Sequence, residues 1–299
     1  MVETAGVIMN RGQSLPHNEG LSSVIHEILK GLALCGIKCA VRRNVNNISV
    51  PYVSDVDILV GGKHLDSIID VITAHAEIIR MKLSYGVLKV WIRTPDGLMK
   101  ELDFLWRASR WGVILLDTED LAEILDNQTV MNGDTPVLSP EGMGRLIYAE
   151  KTKKADFAKY SFELRKAGIT NINKRSHVLF LLRNACQAPL KTMKSSIRFI
   201  SLRMSRLLHP VGVAIYCQVP IKDSDDVVLQ YLFDRRFYRP KTSLGRLFYR
   251  NIMGGLVWVD DKNDADIVID DGELDIVGQI IDYHRKNRGK LSRLQVSLA

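Results

Sequence analysis

Two aspartates that alternate with apolar residues are the feature that most constrains the fold. Asp55 and Asp57 lie in the run Ser54–Val60, which reads SDVDILV and is followed by two glycines. This alternation predicts a half-buried β-strand, in which residues two apart project from the same face. Two carboxylates held so close repel each other unless a proton or a cation lies between them. We therefore expect a sheet that presents this pair to a cation.

A third carboxylate lies further along the chain in a similar context. Asp103 belongs to an apolar run, 99–106, that follows a predicted turn at 94–97. Mg²⁺ prefers oxygen ligands and keeps coordination positions open for phosphates. Three carboxylates on adjacent strands would form a two-metal site for in-line displacement at phosphorus. The sequence therefore predicts Asp55, Asp57 and Asp103 as metal ligands and as catalytic residues.

Hydrophobic periodicity divides the chain into three regions. We expect a core of helices and strands over 1–140, a helical segment over 141–210 and a small α/β domain over 211–299. The predicted helices are 21–36, 64–76, 120–125, 225–233 and 274–286, and the predicted strands are 38–43, 53–60, 78–83, 87–93, 99–106, 211–216, 256–259 and 265–269.

The net charge of +7 is unevenly distributed along the chain. Residues 1–150 contain 14 Lys and Arg against 19 Asp and Glu, whereas residues 151–250 contain 21 against 6 and residues 251–299 contain 6 against 9. Only the middle region, at +15, therefore indicates an anionic partner.

Composition excludes several classes of protein. With 46% hydrophobic and 25% charged residues the chain is typical of a globular protein, not of a disordered one. No segment resembles a signal peptide or a transmembrane helix. The four cysteines form no C-x-x-C pair, so we expect reduced thiols. These features favour a cytoplasmic protein, with peripheral membrane association left open.

The chain resembles the nucleotidyltransferase superfamily of the DNA polymerase β type in the order of its predicted elements. These are a helix, a strand, a strand with two aspartates and a later strand with one aspartate. The segments Ser54–Val60 and Leu98–Arg107 are particularly similar to minimal nucleotidyltransferase-like proteins encoded with bacterial surface-polysaccharide genes. Val137–Glu141, which leads into a helix, resembles the end of their catalytic core. The resemblance covers roughly residues 20–150 and implies an α+β fold with a nucleotidyltransferase-like mixed sheet, flanking helices, a basic helical middle segment and a small C-terminal α/β domain.

The resemblance also implies an activity, namely Mg²⁺-dependent transfer of a nucleoside monophosphate from an NTP to a hydroxyl or phosphate acceptor in surface-polysaccharide metabolism. Asp55 and Asp57 would hold both metal ions, and Asp103 would help to activate the attacking hydroxyl. The family places a Gly-Ser pair at a helix start to hold the triphosphate, but the matching place here is Val41–Asn44. Arg43, Asn44 and Ser54 are therefore the candidate nucleotide contacts.

Three functions remain open at this point. The chain is a nucleotidyltransferase, a catalytically silent binding or assembly protein built on that fold, or an RNA-directed nucleotidyltransferase. The missing Gly-Ser pair favours the second, and the basic middle segment favours the third. The nucleotide, the acceptor and the oligomeric state are not determined by the sequence.

The basic middle segment contains one amphipathic helix, at 190–207. Apolar residues recur every three or four positions and basic residues flank them. We expect this apolar stripe to pack between two domains, with solvated basic edges. Contact with an anionic membrane surface or a lipid-linked substrate is the second interpretation, and nucleic acid is the third because no aromatic residues are interleaved. The stripe consists of Leu190, Met193, Ile197, Ile200, Met204 and Leu207.

Two further segments bear on chemistry. In some polysaccharide-locus relatives a thymidylate-kinase-like P-loop domain follows the core, but Tyr216–Ser224 contains no glycine to cradle a phosphate. We therefore expect the C-terminal domain to be a degenerate kinase relative at most. Lys89 and Arg93 alternate with apolar residues on the strand predicted before Asp103; one interpretation places them towards the acidic cluster, but we expect a solvated face.

Overall fold

The computed structural model describes residues 19–42, 45, 48–51, 55–110, 113–150, 154–170, 174–208, 210–218, 221–233, 237–269, 275–286 and 296–297. Within these residues the chain forms a mixed seven-stranded sheet, a parallel four-stranded sheet and a short hairpin, with helices packed on them. The predicted mixed sheet with flanking helices is therefore confirmed. No helix in the described part is both long and apolar enough to cross a lipid bilayer.

The seven-stranded sheet has the order β3-β4-β5-β2-β1-β9-β8. Strands β3, β4 and β5 form an antiparallel meander, and β2 is parallel to β5 but antiparallel to β1. The parallel pairing of β2 with β5 is the one that brings the aspartate-bearing strands together. The strands are β1 Cys39–Val41, β2 Val56–Val60, β3 Glu77–Ser84, β4 Val87–Arg93, β5 Met99–Leu105, β8 Thr129–Asn132 and β9 Thr135–Leu138.

One face of this sheet is covered by helices α1 (Glu19–Leu34) and α2 (Leu65–His75). Both helices bury apolar residues at spacings of three and four, which is the period that predicted them. These side chains pack with Ile58, Val90 and Phe104 from the central strands. The helix residues buried there are Leu21, Ile25, Ile28, Leu29 and Leu32 in α1 and Leu65, Ile68, Val71 and Ile72 in α2.

The opposite face carries two separate apolar clusters. One cluster joins Leu59 and Leu105 to helices α3 (Thr118–Gln128) and α4 (Pro140–Glu150) and to the hairpin of β6 (Ala108–Arg110) and β7 (Val113–Leu116). The Asp117 carboxylate accepts hydrogen bonds from two N–H groups of the first turn of α3, and so fixes where that helix begins.

The second cluster on this face is formed with the C-terminal sheet. Four parallel strands lie in the order β11-β12-β10-β13, and Ile79, Trp91 and Met99 of the first sheet pack against them and their helices. The elements are β10 Val213–Cys217, α9 Asp223–Leu232, β11 Phe237–Tyr238, α10 Ser243–Leu247, β12 Leu256–Trp258, β13 Ile267–Ile269 and α11 Ile276–Lys286.

The part of the chain that follows the first sheet and precedes the second is helical, as predicted. Its helices are α5 (Lys154–Lys159), α6 (Ser161–Lys166), α7 (Lys174–Gln187) and α8 (Pro189–Leu208). The expectation that the apolar stripe of α8 packs against the protein is wrong. The buried residues of α8 are Ser195, Leu202, Ser205 and Arg206, whereas most of the stripe is exposed. Polar contacts to distant carbonyl groups set the rotation of the helix, and sequence periodicity does not reveal such contacts.

Candidate metal centre

The register of three strands places Asp57, Asp103 and Lys89 in one row. Asp57 lies opposite Asp103 in the β2–β5 pair, and Asp103 lies opposite Lys89 in the β5–β4 pair. Asp55 precedes β2 by one residue. One carboxylate oxygen from each of Asp55, Asp57 and Asp103 lies within 4.8 Å of the other two. The prediction that adjacent strands bring these three carboxylates together is confirmed.

This polar row lies between the two apolar clusters on the same face of the sheet. The next residue on this face towards the C-terminal end of β5 is Leu105, which belongs to the cluster with α3 and α4. Towards the other end are Trp91 and Met99, in the cluster with the C-terminal sheet. Alternation along the strands makes this arrangement, because residues 99, 101, 103 and 105 share a face. The carboxylates therefore lie where two apolar units flank them and reduce their contact with water.

Asp103 is the most buried member of the cluster, with 8% of its area exposed, whereas Asp55 and Asp57 are half-buried. Its Oδ2 lies 2.7 Å from Lys89 Nζ, which also lies 2.6 Å from Oε1 of Glu101. Its Oδ1 is buried and has no hydrogen-bond partner within the described residues. A buried carboxylate oxygen without a donor is unfavourable unless a ligand contacts it.

The charges of this cluster are coupled to its burial. Burial raises the pKa of Asp103 well above its ordinary value; Glu101 and Asp55 add to the rise, and Lys89 opposes it. Burial acts to lower the pKa of Lys89, but the carboxylates of Asp103 and Glu101 outweigh it and the pKa of Lys89 is raised. Lys89 therefore stays protonated. The raised pKa of Asp103 means that binding a proton or a cation at this carboxylate is favourable.

The prediction that Lys89 lies on a solvated face is wrong. Arg93, which lies four residues further along the same strand, is exposed as expected. The two differ because β5 extends opposite Lys89 with Asp103 as its direct neighbour, whereas Arg93 lies at the end of the pairing opposite Met99. Strand register decides this difference, and alternation within one strand does not.

Tyr231 of α9 is a site neighbour that the sequence analysis missed. Its hydroxyl accepts a 2.5 Å hydrogen bond from the backbone N–H of Glu101. Burial, with smaller contributions from the charges of Glu101, Asp55 and Asp103, raises the pKa of this phenol. Tyr231 is far from the aspartates in sequence, and a lone tyrosine in a helix gives no signal that would connect it to them.

Lys100 is a second cation near the cluster and is fully buried. Its ammonium donates a 2.6 Å hydrogen bond to the carbonyl of Val50. Burial lowers the pKa of Lys100 to about 8, although the carboxylates of Asp55 and Glu101 act in the opposite direction. Lys100 therefore holds the loop before β2 against β5 and adds positive charge beside Asp55.

The candidate nucleotide contacts Arg43, Asn44 and Ser54 lie outside the described residues. Their chain neighbour Arg42 is buried, and its backbone N–H donates to the carbonyl of Asp57 over 2.8 Å. This contact places Arg42 beside Asp57, and the roles predicted for Arg43, Asn44 and Ser54 stay predictions.

The donor set fits a hard divalent cation. Three carboxylates converge from two neighbouring strands, the atoms offered are all oxygens, and Oδ1 of Asp103 has no donor among the described residues. Oxygen-only donor sets suit Mg²⁺ and Mn²⁺, whereas zinc sites usually include histidine or cysteine. Asp55, Asp57 and Asp103 would hold such an ion, which would polarise and neutralise the oxygens of a bound phosphate.

Among the described residues, a large cavity elsewhere is lined by no comparable cluster of carboxylates. A volume of about 1240 Å³ opens between α1, β1 and the β8–β9 hairpin. His26 lines it, but its two ring nitrogens contact the carbonyl of Ser22 and the hydroxyl of Thr135, each at 2.7 Å. Through these contacts His26 links α1 to β9 and has a structural role. We therefore place the candidate functional site at the aspartates.

Comparisons of the chain with family models, curated proteins and solved structures give no match.

Proposed function

We propose that this protein is a Mg²⁺-dependent nucleotidyltransferase, which transfers a nucleoside monophosphate from an NTP to a hydroxyl or phosphate acceptor. The observation that carries the proposal is the convergence of Asp55, Asp57 and Asp103 within 4.8 Å on neighbouring parallel strands. The mixed sheet with helices on both faces is compatible with the nucleotidyltransferase fold that the sequence resembles. Surface-polysaccharide metabolism is the setting that the same resemblance indicates.

In this proposal each residue of the row has a distinct task. Asp55 and Asp57 hold the cation, and Asp103 completes the set while accepting the proton of the acceptor hydroxyl. The acceptor oxygen then forms a bond to the α-phosphorus, and the bond to pyrophosphate breaks. Burial raises the pKa of Asp103, and this makes its carboxylate a better proton acceptor than an ordinary aspartate. Lys89, bound to Oδ2, is a positioning residue that fixes the rotamer of Asp103.

A second candidate function is favoured by Lys89 itself. Its ammonium already compensates part of the negative charge of Asp103 and Glu101, as a metal ion would. A protein that had lost catalysis could keep this row as an internal salt bridge. The second candidate is therefore a catalytically silent protein on the same fold, which binds a partner without turning over nucleotide.

The two candidates are separated by metal-dependent nucleotide binding and turnover. We would measure NTP binding by calorimetry with and without Mg²⁺, and pyrophosphate release with each of the four NTPs. The variants are Asp57→Asn and Asp103→Asn, with Asp70→Asn, an exposed aspartate of α2, as the matched control.

For a nucleotidyltransferase, the wild type and Asp70→Asn bind NTP only with Mg²⁺, and both site variants weaken that binding by about tenfold or more. Metal-dependent binding without pyrophosphate release would support the silent protein. Equal NTP binding in all four proteins, or none in any, would exclude a nucleotide site at the aspartates.

A further inference from the structure

Helix α8 exposes a row of apolar side chains along its whole length. Each of these residues has between 51% and 76% of its area exposed, and they recur at intervals of three and four residues. Over 20 residues the row is about 30 Å long. We name this exposed row the α8 stripe; it comprises Leu190, Met193, Ile197, Ile200, Met204 and Leu208, because Leu207, the last member of the predicted stripe, is half-buried.

The outward orientation of the α8 stripe is fixed by contacts on the opposite side of the helix. Arg206 is 4% exposed and donates hydrogen bonds to the carbonyls of Leu83 (2.8 Å) and Ile252 (3.1 Å). The hydroxyls of Ser195 and Tyr85 share a hydrogen bond of 2.8 Å. Rotating the helix to bury the stripe would break these buried polar contacts and leave their partners unsatisfied. The exposure is therefore part of the folded structure.

A continuous apolar surface of this kind marks a site of association. The stripe is a ridge, because every one of its side chains is at least half exposed. Ridges of flexible Leu, Ile and Met side chains enter a soft apolar phase readily, and they offer a folded partner no concave pocket for an anchoring residue. The shape favours a lipid surface over a globular protein.

The charges beside the stripe identify the kind of surface. Helix α8 contains no acidic residue, and Lys194, Arg198 and Arg203 are exposed along its edges. Lys191 is exposed as well but pairs with Asp117 at 2.7 Å. Two copies of α8 placed face to face would bring these cations together, so self-association through the stripe is disfavoured. An anionic surface is attracted by the same charges.

We propose that α8 is an interfacial helix that docks the protein on an anionic membrane surface. The α8 stripe enters the boundary between headgroups and acyl chains, and Lys194, Arg198 and Arg203 contact the anionic headgroups. Because α8 has no tryptophan and its headgroup contacts are three exposed cations, the attachment is reversible and sensitive to salt. This proposal rests on α8 alone and holds whichever function the aspartates serve.

Co-sedimentation of the full chain with vesicles tests the proposal. We would compare vesicles of phosphatidylcholine alone with vesicles containing about one third phosphatidylserine, at low and at high salt. The stripe variant is Ile197→Gln with Ile200→Gln. Its matched control is Leu179→Gln with Leu182→Gln, because these two leucines of α7 have similar exposed fractions. The charge variant is Lys194→Gln with Arg198→Gln.

The wild type and the α7 control sediment with the anionic vesicles at low salt, and much less with phosphatidylcholine alone or at high salt. Each charge removed weakens binding by about fivefold, and the stripe variant weakens it by about tenfold or more at unchanged circular dichroism. No sedimentation of the wild type, or equal loss in the α7 control and the stripe variant, would overturn the proposal. So would a dimer in solution that the stripe variant converts to a monomer, because a second copy would then occupy the stripe.

Discussion

At the scale of single residues, the stability and the chemistry of the site depend on how the charges of its buried carboxylates are compensated. Glu101 and Asp103 share one ammonium, that of Lys89, and Asp103 keeps one oxygen without a donor. Removing one member of a buried ionic group is costly, because the remaining charges lose their compensation. Lys89 therefore stabilises the site and at the same time competes with a cation for Asp103.

The variant Lys89→Met separates these two effects. We expect it to lower the free energy of unfolding by about 3 kcal/mol at pH 8 without metal. The loss becomes smaller as the pH is lowered, because burial raises the pKa of Asp103 and so favours the neutral carboxyl, which needs no ammonium beside it. Added Mg²⁺ or Mn²⁺ raises the melting temperature of Lys89→Met more than that of the wild type, since the cation then replaces the ammonium. Differential scanning fluorimetry measures both effects.

The control for this prediction is Lys30→Met, which removes an exposed lysine whose nearest carboxylate, Glu27, is 3.8 Å away. A surface pair of this kind contributes little, so a change within about 0.5 kcal/mol is expected. If Mn²⁺ raised the melting temperatures of Lys89→Met and the wild type equally, Lys89 and the cation would not share a site.

The sequence revealed only part of this residue-scale arrangement. The aspartate pair was predicted because both residues lie on one strand, where alternation alone fixes their common face. Asp103 was predicted from a second strand of the same type. Lys89 and Tyr231 were not, because their positions depend on the register between β4 and β5 and on the packing of α9.

At the scale of secondary structure elements, the predicted helices and strands are largely present, whereas two hairpins were missed. Helices α1 and α2 and strands β3, β4 and β5 match their predicted ranges closely. The hairpins β6–β7 and β8–β9 were missed, whereas the equally short strands β1, β12 and β13 lie within predicted strands. For α8 the period was right and the buried face wrong, because buried hydrogen bonds of Arg206 and Ser195 set its rotation.

Helix α11 makes the stability of the protein dependent on pH. His284 is half-buried, with its Nε2 atom buried, and its ring centre lies 6.0 Å from that of Phe233. Burial, with a smaller contribution from Arg80, lowers the pKa of His284 to about 3. Below about pH 6.5 the unfolded chain binds a proton at this histidine and the folded chain does not. The contribution of His284 is therefore present at neutral pH and declines as the pH falls from about 6.5 towards 3.

Urea unfolding between pH 4.5 and 7.5 measures this effect. In the wild type the free energy of unfolding rises with pH across this range, and in His284→Phe the rise is smaller because the titrating group is gone. The control is His64→Phe at an exposed position, which keeps the wild-type slope. An equal slope in His284→Phe and the wild type would show that α11 does not hold a neutral histidine.

At the scale of the whole molecule, the charge regions of the sequence correspond to different parts of the structure. The acidic first half contains the aspartate row, and the strongly basic middle contains α8 with its exposed stripe. The C-terminal sheet packs on the same face of the first sheet as the aspartates, through Ile79, Trp91 and Met99. The net charge of +7 therefore arises from the middle region, to which α8 belongs, and does not describe the site.

Arg80 joins the two sheets. It is buried and donates hydrogen bonds to the carbonyls of Leu232, Val211 (3.2 Å) and Gly254 (2.6 Å), while its guanidinium lies 4.6 Å from the ring centres of Trp91 and of Phe233. We expect Arg80→Met to lower the free energy of unfolding by about 3 kcal/mol or more, because several buried carbonyls lose their donor. Circular dichroism during urea unfolding measures it.

Arg93→Met is the control, since Arg93 is exposed at the end of β4; it should change stability by no more than about 0.5 kcal/mol. A wild-type unfolding midpoint in Arg80→Met would show that the two sheets are held together by their apolar contacts alone.

The central claim is that Asp55, Asp57 and Asp103 form a divalent-cation site. The most direct measurement is the anomalous difference density of Mn²⁺ in a crystal soaked with Mn²⁺ and a nonhydrolysable NTP. We predict a peak about 2.1 Å from an oxygen of each of the three aspartates in the wild type. We predict no such peak in Asp57→Asn. Crystals of the wild type without a manganese peak at these oxygens, with Lys89 still bound to Asp103, would contradict the claim.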